Sequence, residues 1–501
     1  MISEIRCNNV AAMQNLQAMS QTAAPKEQAE TESVSRNLSD SADVRPQTKL
    51  DKMLGLTAAK AAELEQNMEP HVEGQVIIKT KGSLFQNSSS ILKDYGAKLI
   101  CKFDMPQNLC QGLSGDLMQI QLPEGITTAQ AMAAMMEDPN IAYVVPNTIY
   151  TLDDPQPESD NVGGGVNSSG EGKRPNDLKE DLWGLDNHGQ QGGKVDADID
   201  APEAWQKTTG LANGQGPIIA VIDTGVDYNH PDLKNNIWTN PGEIPGNGSD
   251  DDGDGVIDDV HGYNAFDDNG DPMDAHSHGT HCAGTIAAEG NNDMGVVGVN
   301  WKATIMPIKI FGDDGRTNAA AIIRGINYAT KHGARITSNS WGGGLPNQAI
   351  KEAFEASSAL HIMAAGNSSQ NNDLDPHYPS SYRVRNSIAV ASTDRQDNLS
   401  YFSCYGKTSV DIGAPGSDIL STVPGGGYGV KSGTSMATPH VTGAAGLLLA
   451  MDPTMSNEEI KTRLLEGSDK IDSLTDKVVS GGRLNVNKAM EFDYQGFIAK
   501  K

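Results

Sequence analysis

Basic residues are scarce in this chain: 38 Lys and Arg stand against 65 Asp and Glu, a formal net charge of -27 over 501 residues. So acidic a balance argues against nucleic acid as a partner, because phosphate binding needs a basic footprint. It argues equally against the anionic surface of a membrane. No run of about 18 apolar residues occurs, so no segment has the length of a membrane-spanning helix; the longest candidate, Val441 to Met451, is short and rich in Gly and Ala. Cysteine is sparse at five, Cys7, Cys101, Cys110, Cys282 and Cys404. That is no disulfide framework, and an odd number leaves at least one thiol free. Cys101 and Cys110 are compatible with a bond between them or with two buried free thiols. The first twenty residues have no apolar core of the kind a secretory signal needs, which points to an intracellular protein, to export by another route, or to a start placed elsewhere.

What is present fits a globular, loop-rich protein, with 37% hydrophobic residues and 54 Gly. The length alone suggests about three units. Residues 1–70 are rich in Ala, Gln, Ser, Glu and Met and read as a disordered leader, with a short helix within Leu50–Gln66. Residues 71–152 read as strand, helix, strand, strand, helix, strand, with Thr127 or Thr128 capping the second helix. That order describes a small ferredoxin-like α+β unit. Residues 153–176 are a Pro-, Gly- and Ser-rich linker holding the pair Lys173-Arg174, either two solvated charges or a cleavage site. From 177 to 501 the pattern turns to α/β. Pro217–Ile222, Thr304–Ile310, Ala334–Ser340, Leu360–Ala365, Ser387–Val390 and Val410–Ile412 read as buried strands, and His278–Glu289, Asn318–His332 and Gln348–Ser358 as helices. Apolar strands alternating with helices predict a mostly parallel sheet covered on both faces.

Four residues in this region are each unremarkable alone. Asp223 ends an apolar strand, His278 opens a helix in HSHGTHCAG, Asn367 ends AAGN, and Ser435 follows Gly433 and Thr434 in SGTSMATPHVTG. Singly they read as a turn residue, a structural imidazole, a turn former and a helix cap. Together they are what acyl transfer to a hydroxyl requires. An imidazole takes the proton of the nucleophile, a carboxylate orients the imidazole, and an amide donor meets the oxyanion.

The segments IAVIDTGVDYNHPDL, HSHGTHCAGTIA, SNSWGGG, AAGN and SGTSMATPHVTGAAGLL resemble the subtilisin-like serine endopeptidases, from Trp183 to Met490. HGTHCAG, with Cys after the second His, is similar to the thermitase and proteinase K branches. The resemblance implies a three-layer α/β/α sandwich with a mostly parallel sheet. It implies Asp223 as the orienting acid, His278 as the general base and acid, Ser435 as the nucleophile and Asn367 as the oxyanion donor, with His281 and His440 structural. It further implies polypeptide substrates lying extended along Ser340, Trp341, Gly342, Gly343 and the stretch before His278. The pocket for the residue at the cut would be bounded by Ser340–Gly343, Ala364–Asn367 and the Tyr378-Pro379 loop. Asp274 reads as a solvated loop residue or as a selector of basic substrate residues. Cys282, beside the His278 motif, implies sensitivity to mercurials.

From Asp250 to Asp274 the chain has ten Asp and no Lys or Arg. Carboxylates at alternate positions around Gly253 and Gly255 suit a loop wrapping a hard cation. Asp250, Asp252, Asp254 and Asp258 resemble an EF-hand loop, although position twelve is His261 rather than Glu. A structural calcium is therefore expected here, and no organic cofactor. The family resemblance implies a second calcium site on Asp232 and Asn292, completed by backbone oxygens of Met294 and Val296. The upstream ferredoxin-like unit resembles the propeptides that inhibit such enzymes, with its tail at about Asn147 to Asp153. The chain thus reads as an autoprocessed zymogen, expected to be monomeric, with its own propeptide as intramolecular inhibitor. The alternative is a non-catalytic or permanently inhibited binding protein on the same scaffold. A serine-carboxyl peptidase is excluded, because His278 and Asn367 stand where that group carries Glu and Asp.

Overall fold

The computed structural model describes residues 48–82, 88–105, 115–152 and 172–500. The chain divides into two compact units, Met1–Met68 with Glu73–Lys102 and Gly115–Pro146, and Asn147–Lys501 with Glu69–Val72 and Phe103–Ser114.

In the first unit, β1 (His71–Thr80), the helix Ser88–Tyr95, β2 (Lys98–Phe103), β3 (Leu117–Gln121), the helix Thr128–Met135 and β4 (Ile141–Thr151) follow in that order. The strands lie β2-β3-β1-β4, with β3 antiparallel to β1, the arrangement expected of a ferredoxin-like fold. Thr127 is the cap: its hydroxyl accepts from Gln130 N and the Gln130 side chain answers Thr127 N. Residues 48–67, which composition assigns to the leader, are ordered as two helices, Lys49–Leu54 and Ala58–Asn67. Leu50 is buried with Val76, Tyr95 and Met132 in this unit's core. The leader before Thr48 and the linker over 153–171 lie outside the described residues. Cys101 is disulfide-bonded, with its partner outside the described residues; Cys282 and Cys404 are free and buried.

The second unit is built on a nine-stranded sheet in the order β15-β16-β12-β11-β10-β9-β5-β7-β6. Its centre consists of β5 (Ile218–Asp223), β7 (Thr304–Lys309), β9 (Ile336–Asn339), β10 (Leu360–Ala364), β11 (Ser387–Thr393) and β12 (Ile412–Pro415). All of these pair in parallel. At the edges lie the short β6 (Tyr263–Asn264), β15 (Asp469–Lys470) and β16 (Gly482–Arg483). Side chains alternate across the sheet. Ile219, Val221, Ile305, Ile336 and Ile362 share one core with Cys282 and Ile286 of the helix His278–Ala287 and with Val441 and Leu448 of the helix Thr434–Met451. On β7 the parity reverses three residues on. Ile308 lies against Gly325 of the helix Ala319–Lys331, where an added Cβ would come within 3.0 Å of it. Helices therefore cover both faces, as the strand pattern predicts. No described helix is long and apolar enough to cross a membrane.

The strands absent from the sequence reading are two to five residues long: β6, β8 (Arg316–Asn318), the hairpin of β13 (Ile419–Val423) and β14 (Gly427–Lys431), β15 and β16. One of them is functionally placed. The end of β4, which belongs to this unit, pairs antiparallel with β8, Ile149 with Asn318, Tyr150 with Thr317 and Thr151 with Arg316. Leu152 N continues the ladder by donating to Gly315 O at 3.0 Å. Asn147 Oδ1 anchors its start by accepting from Ala320 N at 3.1 Å.

Candidate active site

The strand β5 delivers Asp223 at its carboxyl end, and the helix His278–Ala287 begins beside it. His278 Nδ1 meets Asp223 Oδ1 at 2.7 Å, and both side chains are sealed from solvent. Two features bring the helix this close. Gly279 carries no side chain, and a Cβ there would stand 2.1 Å from Gly225 O and 3.1 Å from Asp223 Cβ. The second feature is Asp274. Far from being a solvated loop residue or facing a substrate, it is 2% exposed. Its Oδ1 accepts from Thr224 Oγ1 at 2.9 Å, His276 N at 2.8 Å and Ser277 N at 3.0 Å. Its Oδ2 accepts from Thr280 N at 2.9 Å and Thr280 Oγ1 at 2.6 Å. Thr224 Oγ1 in turn accepts from Gly279 N at 2.8 Å. One carboxylate thus ties the strand end to the first turn of the helix and satisfies the amide groups left open there.

Ser435 sits in the first turn of the helix Thr434–Met451, behind Gly433 at φ 153°. Its hydroxyl donates to Ser340 O at 3.0 Å, and Ser340 Oγ donates to Ser435 O at 2.9 Å. The Cys282 thiol also reaches Ser435 O, at 3.5 Å, and its sulfur stands near Asp223 and His278. Asn367 Oδ1 accepts from Thr434 N at 2.8 Å and from Thr434 Oγ1 at 2.9 Å, which fixes the orientation of its amide. Asn367 and Ser435 line one small pocket with Ser340, Trp341, Gly342, Ala364, Gly366 and Thr434. His377 completes its lining, a residue the sequence reading did not single out. Trp341 reaches this pocket, but its indole is turned into the core, with Nε1 donating to Ile222 O at 2.9 Å. Gly343 is tied through its N–H to Tyr378 O at 2.8 Å. Among the described residues, the strand that pairs with the tail of β4 is β8.

The other histidines of these motifs are structural. His281 Nε2 contacts Ile419 O at 2.9 Å, and burial lowers its pKa to about 3. His440 Nδ1 contacts Met436 O at 2.9 Å, and burial lowers its pKa to about 4. Neither carries charge at neutral pH.

The acidic residues fall into two places. Asp232 is fully buried, which raises its pKa. It accepts from Asn292 Nδ2 at 2.6 Å, Val296 N at 3.1 Å and the Tyr428 hydroxyl at 3.2 Å. Asp177, which the sequence reading missed, accepts from Asn292 N at 2.9 Å, while its other oxygen is buried with no hydrogen-bond partner among the described residues. In the acidic loop the EF-hand-like quartet does not converge. Asp250 caps its own turn through Gly253 N, Asp254 N and Gly255 N, and Asp258 accepts from Asn247 N and Gly248 N. Asp252 instead gathers with Glu243 and Asp259, and also with Asp254 and His332. Glu243 Oε2 is buried with no hydrogen-bond partner among the described residues. Long-range folding, not alternate spacing, selects these groups. The pair Lys173-Arg174 is engaged as well: Lys173 lies 4.7 Å over the Trp301 ring and Arg174 pairs with Asp186.

Replacing Asp274 with Ala leaves several buried donors unanswered, each at a cost of about 1–3 kcal/mol. The expected outcome is a lower melting temperature and, in the folded fraction, a kcat for peptide hydrolysis reduced about tenfold or more with little change in KM. Asp274→Asn, which keeps one acceptor oxygen, restores part of that loss. A kcat within twofold of the parent in the Ala variant would show that Asp274 does not position His278.

Comparison with known proteins agrees with this geometry. Residues 214–488 match the model of the subtilase family, and residues 57–147 match the fervidolysin N-terminal prodomain. Thermitase of Thermoactinomyces vulgaris is 40% identical over 59% of this chain and 94% of its own length. The thermophilic serine proteinase of Bacillus sp. strain AK1 is 37% identical over 58% of this chain and 64% of its own. The crystal structure of fervidolysin from Fervidobacterium pennivorans, a keratinolytic enzyme related to subtilisin, superposes with a TM-score of 0.62 at 27% identity. That likeness covers 84% of this chain and 61% of fervidolysin. The chain belongs to the subtilase family of serine endopeptidases.

Proposed function

We propose that Asp223, His278, Ser435 and Asn367 carry peptide hydrolysis, a reading supported above all by the buried 2.7 Å contact of His278 Nδ1 with Asp223 Oδ1. The carboxylate keeps the imidazole proton on Nδ1 and stabilises the cation formed when Nε2 takes the Ser435 proton. For that step the hydroxyl turns from Ser340 O towards His278. Ser435 Oγ then attacks the scissile carbonyl. Asn367 Nδ2 and the Ser435 backbone N–H, at a helix N-terminus, hold the oxyanion. The imidazolium protonates the leaving amine, and water repeats the sequence on the acyl-enzyme.

The prodomain, and the tail of β4 paired along β8, support an autoprocessed zymogen. An extended tail added to a strand edge is also how a polypeptide substrate is recognised through its backbone. Residues 71–152 form the inhibitory propeptide in this reading, the linker 153–176 contains the maturation cut, and 177–501 is the peptidase. The same tail gives the alternative, a permanently inhibited protein, its specific footing.

Calcium is proposed at two places. Asp177 and Asp232 offer buried carboxylate oxygens, one of them unsatisfied, beside the half-buried amide oxygen of Asn292, a fit for a hard divalent cation that would neutralise the two acids and brace the loop before Val296. In the acidic loop the donor set is Asp252 with Glu243 and Asp259, in place of the quartet read from the sequence.

Intact mass of the full chain and of its Ser435→Ala variant, after a fluorophosphonate probe and with calcium present, tests the reaction. The parent is expected to lose a fragment ending between 153 and 176 and to gain one adduct on Ser435. Normal processing by the variant would overturn the assignment, and a parent that stays full length and unlabelled would favour the permanently inhibited form. In the Ser435→Ala background, chelation is expected to lower the melting temperature by roughly 5 °C or more, and Asp232→Asn should diminish that response. Identical melting with and without chelator would remove calcium from the account.

A further inference from the structure

The pocket beside Ser435 is closed at one end by a side chain that neither the mechanism nor the family motifs use. His377 lines it together with Gly342 and Gly366. A Cβ on Gly342 would stand 2.1 Å from His377 Cε1 and 2.8 Å from Nε2; one on Gly366 would stand 2.7 Å from Cδ2 and 3.0 Å from Nε2. The ring thus occupies the gap between the two glycine walls, with Nε2 facing both of them. The cavity that remains is small, about 10 Å³.

The ring's orientation and protonation are set by its own turn. Ser380 Oγ donates to His377 O at 2.9 Å, so towards His377 Nδ1, 3.3 Å away, it can only accept. The tautomer that matches this arrangement carries its hydrogen on Nδ1 and presents a lone pair on Nε2. Ser381 Oγ accepts from His377 N at 3.1 Å and holds the backbone in place. Burial lowers the pKa of His377 to about 4, so the imidazole is neutral at neutral pH. His377 Nε2 has no hydrogen-bond partner among the described residues.

We infer that His377 sets specificity for the substrate residue whose carbonyl Ser435 attacks, admitting short side chains that donate a hydrogen bond, such as Ser, Thr and Asn, and rejecting large aromatic ones. This rests on the proposed role of Ser435. A residue with a benzyl group would have to displace the ring from between two backbone walls. A short hydroxyl or amide donor can instead answer Nε2. A site built to meet a substrate donor discriminates against apolar analogues, because its own polar group is left unpaired by them.

The test is a panel of fluorogenic peptides differing only at that residue, Phe, Leu, Ala, Thr or Asn, cleaved by the mature parent enzyme and by two variants. For the parent, kcat/KM is expected to be about tenfold or more higher for Thr and Asn than for Phe. His377→Gly should open the pocket and reverse that order. His377→Leu should keep Phe excluded while removing the advantage of Thr and Asn over Ala. Parent enzyme that prefers Phe overturns the inference without recourse to either variant, as does a profile unchanged in His377→Gly. Failure of the parent to cleave any peptide, with no fluorophosphonate adduct on Ser435, would instead count against the proposed reaction.

Discussion

The arrangement of the peptidase unit depends on holding a carboxylate and an imidazole 2.7 Å apart where water does not reach. An exposed pair of this kind contributes little, since both groups are solvated and screened. Burial makes the contact useful and also costly, so the surrounding chain must fix both partners without adding a competing charge. The parallel sheet supplies Asp223 at a strand end, the usual place for a site in such sheets. The helix that starts at His278 is drawn against it through a glycine approach and through the hydrogen bonds gathered by Asp274. Asp274 is a charge, but it is consumed by donors and faces the helix start rather than the reacting atoms.

The same economy of space governs the substrate side. Gly342 and Gly366 leave room that His377 then occupies, while Trp341, which a motif reader would place against substrate, is turned inward to brace β5. The tail of β4 lies antiparallel along β8 and engages it through the backbone. In the proposed reading one backbone edge would serve both inhibition by the propeptide and recognition of other polypeptides, because both engage it in the same way. The histidines in and around the motifs separate by environment. His281 and His440, sealed among backbone carbonyls, are kept neutral by desolvation, whereas His278 is held against Asp223.

Much of this was legible in the sequence. Long apolar strands alternating with helices identified the parallel sheet, because burial on both faces leaves a continuous hydrophobic run that local reading detects. The ferredoxin-like order of the first unit was equally clear, with the cap of its second helix narrowed to Thr127 or Thr128. Asp223, His278, Asn367 and Ser435 stood out through their motifs, each at a strand end or a helix start where local geometry and chemistry coincide.

Tertiary structure decided what depends on residues distant in the chain. Asp177 joins Asp232 and Asn292 only after folding, and Glu243 displaces Asp250 and Asp258 from the acidic cluster, since carboxylate spacing along a loop does not say which way each side chain turns. Short edge strands such as β8 carry too few residues for a periodic signal and exist because a partner strand is present. Residues 48–67 read as leader because their composition is polar, yet Leu50 finds a core to enter. His377 was invisible for the same reason: a lone histidine in a loop acquires meaning only when folding sets it between two glycines beside Ser435. Sequence determined the elements and the chemistry available to them, because both are local; the shape of the space around that chemistry came from packing, which is not.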